Sequence, residues 1–357
     1  MSTQILNIDK NPMIQRVVGF LQCDSFDGFT SDDLFIMQFV KKGWGQDIAA
    51  LSNMAEALIN ASKSGLAGDS EVKVLLDGVV SRALHKKVSP YGKDPRAVEN
   101  LGRYGYYLEH LNIILGCYQS AVDDAYLDLN LRVTEHLIDA SMAEDNCHAP
   151  LLPNVRMRWS ADQAAIIYSI WLYDQNNGTS LANELRDRWL SYMDTRMRDH
   201  ATGLYMTEVM GVKRYSKQPR GCALAYLIYY SSHFAPQTAA EQWGLFKTHM
   251  LIKRAGITGF QEYLSSYKGG WTPDSGPIVA GIGVGASGLA LKTAACMADI
   301  EVYDALNRSV APVMTLLRGL MYVPLLNRLA RLGTDLLATS IKLCADMRIT
   351  STERTSL

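Results

Sequence analysis

ENLGRYGYYLEHLNIILGCYQ, from Glu99 to Gln119, is the stretch whose reading decides the fold. It reads as one helix, with Asn100 as the expected N-cap. Apolar residues run nearly all the way round it, yet it carries Arg103, Tyr104, Tyr106, Tyr107, Glu109 and His110. A helix apolar on every side is buried on every side. Ionisable groups on such a helix cost several kcal/mol unless they are paired or used in chemistry. The expectation is that function lies at the N-terminal end of this helix, with the rest of the chain wrapped around it.

Working outward, apolar and amphipathic helices alternate. Gly45 to Ser62 and Ser70 to Lys86 read as amphipathic helices, and Asp123 to Ala143 as a surface helix with one apolar stripe. Ser160 to Tyr173 is apolar, Leu181 to Met197 amphipathic, Gly221 to Tyr230 apolar, and Ala239 to Ile252 amphipathic. The apolar run Pro277 to Ala298 follows, then helices near Val310 to Met321 and Leu325 to Met347. A short helix is expected in DDLFIMQFVKK after Ser31. No long strand-period alternation appears. An inner ring of buried helices inside an outer ring of amphipathic ones satisfies this rhythm: an all-α chain, the (α/α)6 barrel or six-hairpin toroid. Solenoid repeats have a fixed period, whereas the loops here differ greatly in length. The expected organisation is an N-terminal segment, residues 1–43, which could cap the pocket with Asp24, Phe26 and Asp27; a toroid over 44–347; and a frayed tail, 348–357.

Composition bounds the function. Apolar residues make up 48% and charged residues 20%, which is globular usage, and the net charge of −1 gives no field for nucleic acid. The six cysteines show no CxxC pair, and the N-terminus has no secretory pattern, so the expected compartment is the cytoplasm. Pro277 to Ala298 is long enough to span a bilayer, but it is glycine-rich and holds Lys292. It reads as a buried helix, so no integral membrane span is expected. GVGASG (Gly283 to Gly288) lacks the βαβ context of a dinucleotide site, and its glycines are expected to let inner helices pack closely. The histidines lack metal-ligand spacing. Asp123, Asp124 and Asp128 read as acids at a helix start. No cofactor and no metal are expected.

Toroids place their sites where the inner-helix N-termini meet the long loops. Four such places carry polar or aromatic residues: Tyr104, Tyr106, Glu109 and His110; Trp159 and Asp162; Arg220 and Cys222; and Trp271, Asp274 and Ser275. Asp162, His110 and Asp274 are the expected catalytic residues. Tyr104, Tyr106, Trp159, Arg220, Cys222 and Trp271 are the expected substrate-binding residues. The plainer readings are a helix cap for either aspartate and a core histidine bonded to a hydroxyl for His110. Glu109 is expected to pair with Arg103 or Arg158.

GKDPRAVEN leading into HLNIILGCYQ (Gly92 to Gln119), IWLYDQNNGT (Ile170 to Thr179) and, more weakly, PDSGPIVAGIG (Pro273 to Gly283) resemble the linalool dehydratase/isomerase superfamily. The resemblance implies the (α/α)6 fold, a pocket for a small, largely apolar substrate, and acid/base chemistry without metal. His110 falls on that family's active-site histidine. The family's catalytic cysteines are not kept: Asp162 stands at one, and Leu151-Leu152-Pro153 lies near the other. The first expectation is therefore a metal-free lyase, isomerase or cyclase acting on a terpenoid. One alternative is a glycoside hydrolase or lyase using Asp162 and Asp274 as a carboxylate pair. Another is a non-catalytic toroid that binds a ligand or partner. The outer helices carry enough apolar surface for a homo-oligomer.

Overall fold

The computed structural model describes residues 12–22, 46–210, 218–267, 269–270, 272, 275–320 and 336–349. Six helices form the inner ring: α2 (Gln46–Lys63), α4 (Gly105–Ala121), α6 (Ser160–Asn177), α8 (Gly221–Phe234), α10 (Val284–Cys296) and α12 (Leu336–Arg348). Each packs on the next in that order, and α12 packs back on α2, so the ring is closed. Outside it lie α1 (Pro12–Gln22), α3 (Asp69–Leu84), α5 (Leu127–Met142), α7 (Ala182–Arg196), α9 (Pro236–Met250) and α11 (Ile300–Leu320). The chain is an (α/α)6 barrel, as the alternation of apolar and amphipathic stretches requires.

The physical cause is visible helix by helix. Every residue of α4 from Tyr107 to Tyr118 is buried. In α7 only Ala182, Leu185, Trp189 and Met193 are buried, a single stripe at helical spacing. α1 packs against α3 and α12; there the Arg82 guanidinium lies 4.2 Å from the Phe20 ring centre and donates to the Phe20 carbonyl.

The two ends of the barrel differ. At the C-terminal ends of the inner helices the connections are short: 64–68, 122–126, 178–181, residue 235 and 297–299. At their N-terminal ends the connections are long: 85–104, 143–159, 197–220 and 251–283. These long loops carry six short strands. β1 (Met157–Trp159) pairs antiparallel with β2 (Glu208–Met210), tying the approach to α6 to the approach to α8. β3 (Leu251–Arg254) pairs with β4 (Ile257–Phe260), and β5 (Ile278–Val279) with β6 (Ile282–Gly283). Strands of two to four residues leave no readable alternation, which is why the sequence shows none.

Three expectations change. Asn100 does not cap α4. Its side chain accepts from the Gly102 amide at 2.8 Å in a turn, and the helix begins after Tyr104. The apolar run Pro277 to Ala298 is not one helix: the β5–β6 hairpin comes first, turning at Ala280 and Gly281, both at positive φ. No described helix is long and apolar enough to cross a membrane. Asp24, Phe26, Asp27, Cys23, Trp271, Asp274 and the helix expected in DDLFIMQFVKK lie outside the described residues.

Candidate active site

The long-loop end gathers one polar group from each of several inner helices. Glu109 sits one turn into α4, where its side chain is fully buried. Among the described residues no lysine or arginine pairs with it, and its neighbours are the Tyr226 hydroxyl and the Asp162 carboxyl. The two arginines expected to pair with it point elsewhere: Arg158 Nη2 lies 3.1 Å and Arg103 Nη2 3.8 Å from Glu144 Oε1. Burial, reinforced by the facing Asp162 carboxyl, holds Glu109 well above the usual carboxylate range. Asp162 stands in the first turn of α6 and is half-buried. It is not the cap of that helix, a position held by Trp159.

His110 follows on α4, also with no exposure. Its Nδ1 lies 2.7 Å from Ser52 Oγ on α2, and its Nε2 lies 3.2 Å from Tyr226 Oη on α8. Burial, with Lys292 nearby, pushes the imidazole down to about 3. His110 is therefore neutral and too weak a base to accept a proton near neutral pH. Both of its ring nitrogens face hydroxyls. The Tyr106 ring stands edge-on to it at 5.0 Å. Tyr106 and Tyr226 are partly exposed, whereas Glu109 and His110 lie beneath them.

Other expected residues belong to the walls. Tyr104 packs edge-on against Tyr91 at 5.2 Å, in the loop before α4. Trp159 is the last residue of β1, opposite Glu208. Arg220 is buried and bonds Glu262 Oε1 through Nε at 3.1 Å and Thr272 Oγ1 through Nη2 at 2.8 Å, with Glu208 at 3.5 Å. The Cys222 amide and thiol donate to the same Glu262 carboxylate, at 3.0 and 3.1 Å. Arg220 and Cys222 thus fasten the 251–283 loop to the start of α8. No group of three or more His, Cys, Asp or Glu side chains able to hold a metal occurs among the described residues.

On α10, Lys292 is buried and reaches Glu56 and Asn53 of α2 across the barrel interior. Gly288 lies one turn nearer the mouth on the same side of the helix, and a Cβ there would meet nothing within 4 Å. The GVGASG glycines are expected from the sequence to let inner helices pack closely, but Gly283 ends β6 and a Cβ there would approach Glu262 of the preceding loop at 3.1 Å, and a Cβ at Gly288 meets nothing.

No protein-family model matches the chain, and no curated protein matches it. Solved structures do. A family 76 glycoside hydrolase from a bovine Bacteroides thetaiotaomicron strain matches with a TM-score of 0.53 and 10% identity, over 95% of this chain and 78% of that one. The α-1,6-mannanase of Salegentibacter sp. HEL1_6 matches with a TM-score of 0.48 and 12% identity, over 92% of this chain and 99% of that one. An inactive variant of that mannanase, in complex with α-1,6-mannotriose, matches with a TM-score of 0.49 and 11% identity, over 92% of this chain and 99% of that one. The first of these likenesses establishes the shared fold.

The resemblance to the linalool dehydratase/isomerase superfamily is corrected by the family 76 glycoside hydrolase, whose fold this chain shares. The terpenoid lyase, isomerase or cyclase reading falls with it, and with that reading the small apolar substrate. The reason lies in what the matching stretches do. In IWLYDQNNGT, Asp174 accepts from the Leu181 and Ala182 amides at 2.9 Å, and Gly178 closes α6 in the left-handed region at φ 66°. In GKDPRAVEN, Asp94 accepts from the Arg96 amide at 2.8 Å and caps a single turn. These are helix ends that an (α/α)6 barrel needs whatever its chemistry, and the first lies at the face opposite the site.

Proposed function

We propose that the chain is a glycoside hydrolase whose acid pair is Glu109 and Asp162, at the long-loop mouth of the barrel. The observation that carries this reading is Glu109: a fully buried carboxyl with no lysine or arginine paired to it among the described residues, facing a second carboxyl at the accessible end of the lumen. A carboxyl held protonated by burial beside another is the arrangement that supplies a proton to a glycosidic oxygen. Glycoside hydrolysis uses two carboxyl groups around an oxocarbenium-like transition state. Asp162 is the member that reaches the mouth, so it meets the substrate. Glu109 lies behind it and shares its proton, because two close carboxylates resist ionising together. The exposed edges of Tyr106 and Tyr226 offer aromatic and hydroxyl surface to a sugar ring. The family 76 hydrolase of the same fold supports the substrate class, and α-1,6-linked mannose oligosaccharides are the first substrates to test.

A purely binding toroid would have its polar cluster mutually paired. Arg220–Glu262 and Lys292–Glu56 meet that description; Glu109 does not. The test is release of new reducing ends from α-mannooligosaccharides and a panel of neutral glycans by the purified protein. Loss of about 10²–10⁴-fold is expected in Asp162→Asn and in Glu109→Gln, with the far-ultraviolet spectrum unchanged. Full activity in Asp162→Asn, or no turnover of any glycan by the unaltered chain, would overturn the reading.

A further inference from the structure

Three inner helices are joined across the lumen by one string of side chains: Ser52 on α2, His110 on α4 and Tyr226 on α8, linked at 2.7 and 3.2 Å. Ser52 and His110 have no exposure, and Tyr226 is the end that reaches the mouth. Each member can both donate and accept, so the string can run in either direction. At its inner end the Ser52 hydroxyl also contacts the Ala49 carbonyl at 3.0 Å, an oxygen that already accepts from Asn53 Nδ2 at 2.8 Å. At its outer end the Tyr226 hydroxyl stands beside Glu109 and Asp162. Nothing in helix packing requires a histidine here, since burying an imidazole among apolar helices is unfavourable unless both nitrogens are bonded.

We infer that Ser52 and His110 are positioning residues: through their hydrogen bonds they fix the Tyr226 hydroxyl against the Glu109–Asp162 pair, and Tyr226 sets how tightly that pair holds its proton. This deepens the proposed function, because it assigns the device that tunes its acid, but the tuning is measurable without any substrate. His110 acts through Tyr226 and not directly, since its Nε2 is 3.2 Å from the Tyr226 oxygen and 3.7 Å from Glu109 Oε1, beyond hydrogen-bond reach. The titratable groups described around the string are Glu109 on the same helix, Asp162 on α6, Tyr106 on α4, Tyr226 and Tyr230 on α8, and, deeper, Lys292 on α10 with Glu56 on α2. His110 stays neutral across the working range, so it contributes no charge of its own and only holds the hydroxyl.

The experiment is the titration of Glu109 followed by its carboxylic-acid carbonyl band in infrared difference spectra, assigned with Glu109→Gln. It is run on the unaltered chain, on His110→Phe, on Tyr226→Phe and on the double variant. Tyr226→Phe and His110→Phe are each expected to move the midpoint by about one pH unit, the scale of one hydrogen bond to an ionising carboxyl. The double variant is expected to match Tyr226→Phe alone, because His110 has nothing left to hold. A His110 shift that persists without Tyr226, or no shift in either single variant, would overturn the inference. Ser52→Ala, a smaller change, gives a second handle should His110→Phe fail to fold: its shift must likewise vanish in the Tyr226→Phe background. A normal titration pattern with no glycan turnover would remove the proposed function and leave the string standing; glycan turnover with unlinked midpoints would do the reverse.

Discussion

Lys292 Nζ, on the fifth helix of the inner ring, lies 2.7 Å from Glu56 Oε2 on the first. The same ammonium is 2.8 Å from Asn53 Oδ1 and 3.8 Å from the centre of the Tyr229 ring, while the Tyr229 hydroxyl donates to the other Glu56 oxygen at 2.7 Å. Both charges are buried, and their pairing joins α10 to α2, the two helices that flank α12. Removing one partner of such a pair leaves an uncompensated charge and costs about 3–5 kcal/mol. Lys292→Met should therefore lower the urea midpoint sharply, and adding Glu56→Leu should recover most of the loss. A single variant as stable as the parent would mean that the pair contributes nothing.

Glu109 makes stability fall as pH rises. Its folded-state carboxyl is held well above the ordinary 4.5. A carboxyl raised in this way contributes stability that is complete below the unfolded value and is lost as pH climbs toward the folded one, at about 1.4 kcal/mol per pH unit. Glu109→Gln removes that dependence. The variant should match the parent near pH 4 and exceed it increasingly above pH 4.5. Parallel stability curves for the two proteins would show that Glu109 carries no raised value.

Two histidines act in the opposite sense. Burial holds His110 at about 3 and His148 at about 4. Trp189 Nε1 lies 3.3 Å from His148 Nε2, and Nδ1 faces the Asn146 carbonyl, so this ring too is enclosed and neutral. Groups lowered from 6.5 lend stability that is present above the unfolded value and is lost as pH falls below it. The pair should steepen acid unfolding by about 2.7 kcal/mol per pH unit between pH 6.5 and 4. His148→Gln should halve that contribution in urea titrations made at successive pH values, and an unchanged slope would refute its part.

Two glycines of the inner ring should respond oppositely to alanine. At Gly221 a Cβ would enter the Gln261 carbonyl and approach Ala286 Cβ at 2.8 Å. Gly221→Ala should destabilise by about 1–3 kcal/mol as overpacking does. At Gly288 a Cβ meets nothing. Gly288→Ala should stabilise by about 0.5–1 kcal/mol, the helix penalty of glycine. Gly288→Phe should keep the parent's melting temperature but weaken glycan binding by crowding the lumen, read as a raised KM. Equal melting temperatures for Gly221→Ala and Gly288→Ala would contradict the packing described.

The architecture was readable because it rests on burial patterns, which the sequence displays directly. α4 is apolar all round and α5 on one stripe, and no side-chain partner has to be known to see it. Loop lengths are equally plain: the long connections gather at the N-terminal ends of the inner helices. Partner choice was not readable. Arg103 and Arg158 lie six residues before and 49 after Glu109, and either could have met it; both instead converge on Glu144. The sequence accordingly reads Glu109 as an ion-pair residue, and the sign to the contrary is its place amid thirteen buried residues of α4 with no cation at helical spacing. Arg220 and Cys222 stand at the start of α8, but Glu262, which fastens both, comes from a loop 40 residues on from Cys222. The substrate class is not readable for a related reason. The apolar and aromatic residues that suggest a terpenoid are those that any inner ring must bury, and the family stretch IWLYDQNNGT closes a helix.

The closure of the ring by α12 against α2 sets a schedule for biosynthesis. Asn60 Nδ2 lies 3.3 Å from the Cys344 carbonyl, a contact between residues 284 positions apart. At ribosomal speeds of about 5–20 residues per second, the flank of α2 that α12 will cover stays unmatched for roughly a quarter of a minute to a minute. Through that interval the nascent chain is an open arc with a sticky first edge. Chaperone engagement should therefore concentrate on α2, and release should coincide with the emergence of α12.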